Sequence, residues 1–173
     1  MSDFFPSSYE LPKGSSNYMR LEQGENRFRV LSEHPITGWL YWTQDNKPVR
    51  LREFPKEMPL QIKVRDQAAS WEKGVKHFWD FAVWDYASKS IKILEITQAT
   101  IQNSLDSLFH DKDWGHPKSY DILITRTGES MDTEYQTIAK PHTALLDAIV
   151  EAYKSKNINL EALYDSKDPF AKS

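Results

Sequence analysis

The chain has 173 residues, 39% hydrophobic and 27% charged, with a formal net charge of −3. That suits one globular domain with appendages and excludes a disordered chain. No cysteine is present, which excludes disulfides, thiolate chemistry and cysteine-ligated zinc. No window approaches an apolar membrane span, and the start MSDFFPSSYELPKGSS lacks the basic and apolar regions of a signal peptide, so an intracellular protein is expected.

Residues 1–18 carry Pro6, Pro12, Gly14 and five serines without periodicity and read as a flexible arm. GENRFRVLSE follows as a first strand, in which Phe28 and Val30 alternate with Arg27 and Arg29, so the arginines point away from the apolar face. ITGWLYWTQ is a second strand and KPVRLRE a third, with Gln44-Asp45-Asn46 as the turn between them. On the second strand Leu40 and Trp42 share one face, Trp39 and Tyr41 the other, and either pair fits an inward position. Phe54 to Gly74 reads as a long loop.

Residues 76–86, KHFWDFAVWDY, place rings on both parities of one strand. Successive side chains of a strand point to opposite faces. Trp79, Phe81 and Val83 form an uninterrupted apolar row suited to a core. Phe78, Asp80, Ala82, Trp84 and Tyr86 mix rings with a carboxylate, as an exposed platform would; cover by an appended helix is the alternative. IKILEI is the next strand.

Thr97 then caps a helix over 97–112, with Ile101, Leu105, Leu108 and Phe109 at helical spacing and Gly115 and Pro117 beyond its end. SYDILITRTG alternates, with Tyr120, Ile122 and Ile124 inward and Asp121, Leu123 and Thr125 outward. TEYQTIAK is the last strand. Pro141 opens a second helix with Leu145, Leu146, Ile149, Val150 and Tyr153 on one side, and NLEALY is a short third.

This order predicts a mainly β fold with appended helices. A five-stranded Greek-key barrel of the oligonucleotide-binding type carries its helix between strands three and four, which matches the helix over 97–112; an α+β sheet covered on one face by helices is the alternative. The expected division is an arm at 1–18, a domain of this oligonucleotide-binding barrel type at 19–140, C-terminal helices packed on it at 141–164 and a tail at 165–173.

Tests for chemistry give little. The five histidines lack helical ligand spacing, and His110, Asp111, Asp113 and His116 fall where a solvated loop is expected. There is no phosphate-cradling glycine run and no nucleophile elbow. An enzyme is disfavoured and no cofactor is expected. Carboxylates such as Asp111, Asp113 and Asp121 leave a metal-dependent nuclease as a minor reading, and an exposed aromatic patch leaves a protein-interaction module.

What stands out is rings and cations. Aromatic residues make up 13% of the chain, with six Trp, eight Tyr and eight Phe. Between Lys47 and Lys76 there are eight basic residues against four acidic ones, whereas Thr127 to the end carries eight acids against five bases. Single-stranded nucleic acid is held by side chains on which bases stack, beside a basic groove that tracks the phosphates.

YMRLEQGENRFRVL (18–31), GWLYWTQDNKPVR (38–50), HFWDFAVWDY (77–86), IKILEITQATI (91–101) and WGHPKSYDILITRTGES (114–130) together resemble the single-stranded-DNA-binding proteins of tailed bacteriophages. The resemblance implies an oligonucleotide-binding barrel that coats exposed DNA during phage replication, recombination or repair in the bacterial cytoplasm, without catalysis. Joined to the strand parity, it implies Trp42, Phe78, Trp84 and Tyr86 as stacking surfaces. Arg29, Lys47, Arg50, Arg52 and Lys76 become the phosphate partners. With the even row buried, Trp79 and Phe81 take over the stacking. The family's acidic tail with a terminal aromatic residue recruits replication partners; here Asp165, Asp168 and Phe170 stand in that region, interrupted by Lys167 and followed by Ala171, Lys172 and Ser173.

Overall fold

The computed structural model describes residues 17–64 and 70–171, so most of the expected arm lies outside the described residues. Among these described residues, seven strands are formed: β1 (Gly24–Val30), β2 (Ile36–Trp42), β3 (Pro48–Leu51), β4 (Lys76–Asp85), β5 (Ser90–Ile96), β6 (Asp121–Thr127) and β7 (Glu134–Ala139). Within the same residues two α-helices, α1 (Ala99–His110) and α2 (Asp147–Lys156), and several 3-10 turns complete a mainly β, α+β architecture.

All pairings between strands are antiparallel, in the order β3-β2-β4-β1-β6-β7 with β5 also on β4. The ten-residue β4 is the hub. Residues 76–80 pair with β2 and 83–85 with β1, while 79–85 pair with β5. The sheet is not closed: among the described residues β7 pairs only with β6. Another segment also holds β5, since Met19 N–H donates to the Ile93 carbonyl and Ile93 N–H to that of Asn17, each at 2.8 Å.

One face of the sheet packs on α1. Ile101 and Leu105, one helical turn apart, meet Phe28, Val30, Phe81, Val83, Leu94, Ile96, Ile122 and Ile124. The helix starts one residue later than expected. Gln98 occupies the N-cap without a side-chain bond to the first turn of the helix; its side-chain oxygen accepts instead from the Thr97 N–H at 3.2 Å. Gln102 ties the first turns to the sheet by donating to the carbonyls of Ile96 and His77, each at 3.0 Å.

The other face is also covered. Leu145, Ile149, Tyr153 and Ile158 pack on Leu31, Ala82, Trp84 and Ile91. Leu160, Leu163, Tyr164 and Phe170 pack on Ile36, Leu40, Phe78 and Ile93. Pro141 does not open α2, which begins at Asp147. Residues before it bond back to β1 and to the turn before β6 instead: Thr143 N–H donates to the Ser119 carbonyl, and Thr143 accepts from Arg29 through its carbonyl and hydroxyl. Asn157, at φ 48°, ends α2 in the left-handed conformation that turns a chain out of a helix.

Both parities of β4 are therefore buried over its middle, which explains rings on both sides of one strand. Asp121 and Leu123, expected to face outward on β6, are buried as well. Gly38 permits the local approach of β3 and β4, because a Cβ there would collide with the Leu51 carbonyl and crowd the Phe78 ring.

Candidate nucleic-acid interface

Directly paired residues of an antiparallel ladder lie on the same face. Thr37 pairs with Trp79, Trp39 with His77 and with Leu51, and Tyr41 with Val49. These residues therefore continue the α1-facing side of the sheet. Under α1 this side is sealed, with Phe81 buried. Toward β2 and β3 the cover thins, leaving Trp79, His77, Trp39 and Tyr41 half-buried.

The loop after β3 adds two rings to this row. Phe54 stands edge-on to Trp39 with centroids 5.1 Å apart, and Trp71 lies 6.1 Å from Phe54 at an interplanar angle of 30°. Trp39 and His77 are 4.9 Å apart. Phe54 is 39% exposed. Four rings from β2, β4 and the two ends of one loop thus form a connected, partly open aromatic surface.

Cations border it. Lys73 follows Trp71 by two residues and Lys76 adjoins His77, and both are exposed. At the far end of β2, Trp42 is 47% exposed. Its carbonyl accepts from the Lys63 N–H at 2.8 Å, while Lys63 Nζ donates to Asn46 Oδ1 at 2.7 Å. Lys47, in the same turn, is exposed. Among the described residues, no carboxylate lies within ion-pair distance of Lys47, Lys63, Lys73 or Lys76. Flat surfaces and uncompensated ammonium groups are what unstacked bases and their phosphates require.

No protein-family model, curated protein or solved structure matches this chain.

The sequence-predicted residues divide into three groups. Trp42, Lys47 and Lys76 are on the surface. Phe78, Arg29 and Arg50 are corrections, because the C-terminal layer and the strand ladder bury them. Phe78 is 0% exposed, under Leu163 and Tyr164. Arg29 is 1% exposed and donates from Nε to Asp121 at 2.7 Å and from Nη1 to the carbonyls of Lys118 and Thr143.

Arg50 bonds Glu95 at 2.7 Å and lies 3.3 Å from Asp80. Asp80 and Glu95 are opposed in the β4–β5 register, so two carboxyls share one guanidinium. Burial, with the neighbouring Glu95, pushes Asp80 up to about 9 against the pull of Arg50. Burial lowers Arg50, but its donation to the Glu95 carboxylate and that group's charge outweigh burial and raise it. This group is a structural ion cluster beneath the C-terminal layer and leaves no cation for phosphate.

The third group is half-buried or engaged. Trp84 packs against Leu31, Ala82, Ile91 and Ile149. Tyr86 donates to Asp121 at 2.8 Å and lies beneath the Arg27 guanidinium, 5.0 Å from the ring centroid. Burial and the Asp121 carboxylate push Tyr86 up to about 12. Arg52 is exposed but pairs with Glu161 at 3.0 Å and stacks 4.0 Å above Tyr164. Asp121, which burial raises, is held below its ordinary value by bonds from Tyr86, Arg27 and Arg29; it serves those arginines rather than a metal.

Of the residues that would inherit stacking, Phe81 is buried and Trp79 is accessible in part. Trp39, Tyr41, Phe54, Trp71 and His77 were missed. The alternation of ITGWLYW identified the pair Trp39 and Tyr41 but not its direction. Only the β2–β4 register, which brings Trp39 opposite His77, places them on the open side.

Proposed function

We propose that the protein binds single-stranded DNA without sequence preference, stacking bases on the row Tyr41, Trp39, Phe54, Trp71 and His77 and pairing phosphates with Lys47, Lys63, Lys73 and Lys76. The observation that carries this reading is the connected, partly open ring cluster at the β2–β4 junction, bordered by exposed ammonium groups that have no carboxylate partner among the described residues. The resemblance of five ordered segments to phage single-stranded-DNA-binding proteins points the same way. Coating of DNA during phage replication, recombination or repair, in the cytoplasm of a bacterial host and without catalysis, is the role that follows.

The pairing order β5-β4-β1-β6-β7, with α1 between β5 and β6, supports an open variant of the five-stranded oligonucleotide-binding barrel. In this reading β2 and β3 are a hairpin inserted between the first two barrel strands, and the binding row is built on that insertion. Recruitment of replication proteins through Asp165, Asp168 and Phe170 is part of the same proposal. Phe170 packs at the edge of the C-terminal layer, 5.8 Å below Lys156.

Titration of labelled oligothymidylate and of its duplex with oligodeoxyadenylate, at two ionic strengths, tests the reading. Tight, salt-sensitive binding of the single strand and weaker binding of the duplex are expected. Equal affinity for both, or no binding at low salt, overturns it. Retention of a protein partner at high salt with no response to oligonucleotides would favour the interaction-module reading.

A further inference from the structure

Past His77, the same side of β4 runs into a cavity of ≈ 470 Å³ between the sheet and the C-terminal half of α1. Trp79 and Phe81 line it from β4 and Phe109 from α1, with Pro35 and Pro117 among the other walls. The volume falls in the range of small-ligand clefts. Trp79 lies two residues beyond His77, so the cavity continues the ring row directly.

Little polar surface lines it; Asp106 is among the lining residues, while His116 and Glu33 already have partners. His116 Nδ1 accepts from the Lys118 N–H at 3.1 Å, so Nε2 carries the proton and donates to the Glu33 carbonyl at 2.8 Å. That ring is a strut between two walls, with both nitrogens used. Lys118 Nζ neutralises Glu33 at 2.8 Å and holds its carboxyl below the ordinary range. Asp106 is on the exposed face of α1, one turn before His110, whose Nδ1 is 2.8 Å from the Asp106 carbonyl and 3.3 Å from its carboxylate.

The cavity is thus an apolar slot, with an indole on one side and carboxylate acceptors among its few polar groups. Carboxylates repel phosphate and accept hydrogen bonds from amines. A nucleotide therefore enters base first, with its phosphates left toward the lysine border. We infer that the Trp79 cavity takes one unpaired base of the bound strand, and that Asp106 favours bases with an exocyclic amine, namely adenine, cytosine and guanine, over thymine. This inference rests on the proposed function and adds a single selective position to an otherwise unselective row.

Three measurements on the full chain test it. A single 2-aminopurine placed at successive positions in oligothymidylate reports stacking through its quenching, and strong quenching is expected at one position per bound protein. Trp79→Ala should weaken binding about tenfold, within the range of one stacked base. Because Trp79 also packs on the core, Asp106→Ala serves as a variant that leaves the fold intact; it should equalise binding of strands with adenine or thymine at that position, a difference of about fivefold for a partly exposed charged bond.

Free adenosine, followed through the Trp79 indole N–H resonance, separates the two levels of the argument. A strand that binds with the same affinity to wild type and Trp79→Ala, together with an unmoved indole resonance, overturns the pocket and leaves the row intact. Absence of strand binding, with adenosine still shifting that resonance, overturns the proposed function and upholds the base pocket. An indole resonance unmoved by adenosine in a protein that binds no strand overturns both.

Discussion

Trp39 and His77 stand opposite each other across the β2–β4 ladder with ring centroids 4.9 Å apart. One step along β4 and on the other face, Phe78 is sealed beneath the C-terminal layer. Under the proposed function, neighbouring residues of one strand thus divide binding from stability. Trp39→Ala should weaken oligothymidylate binding by about 1–3 kcal/mol with little change in melting temperature. Phe78→Ala should cost about 3–5 kcal/mol of stability and, below its melting transition, bind as wild type does. Fluorescence anisotropy beside thermal denaturation of both variants checks the pair; the opposite pattern would exchange their roles.

Replacing Lys47, Lys63, Lys73 or Lys76 should in each case lower the salt dependence of binding. For single strands the slope of log affinity against log salt changes by about 0.7 for each phosphate neutralised. Lys→Gln variants measured at three salt concentrations provide the slopes. Arg29→Met and Arg50→Met should leave the slope unchanged, because both guanidiniums are committed to buried carboxylates.

Replacing Arg29 alone should destabilise the fold by about 3–5 kcal/mol, since it leaves the buried Asp121 carboxylate short of a partner. Arg27, at 2.7 Å from the same carboxylate, softens the loss. Asp121 also gives a pH signature. Its folded value lies below the ordinary 3.8, so the unfolded chain binds more protons in acid. The contribution is complete above that ordinary value and disappears as pH falls through the folded one. Asp121→Asn should flatten the acid limb of a stability–pH curve obtained from urea midpoints.

Asp80 has the opposite sign. Its folded value is raised from 3.8 to about 9, so the folded chain binds more protons between those limits. Its contribution is complete below 3.8 and is lost as pH rises toward 9. Asp80→Asn, which mimics the neutral carboxyl, should show a melting temperature that falls less than wild type between pH 6 and 9. Parallel declines for the two proteins would place the titration elsewhere.

The strand and helix order, the apolar row Phe81 and Val83, and the α1 stripe of Ile101 and Leu105 are all local periodicities, and they are legible in the sequence because alternation and 3.6-residue spacing report which side of an element is dry. The reading of Phe78 as exposed failed for the same reason. Periodicity shows that two faces differ, and a second apolar layer from residues 145–170, distant in sequence, makes both dry.

The sequence by itself determined that this chain is rich in strands, concentrates basic residues between 47 and 76 and carries more rings than a core of one sheet face needs. The tertiary structure decided which rings remain open. Trp39, Phe54, Trp71 and His77 meet only through the β2–β4 register and the return of a long loop, and Arg29 and Arg50 are withdrawn by carboxylates on other strands. A side chain's type is local, but its access to solvent depends on what packs over it, and that cover comes from residues far along the chain.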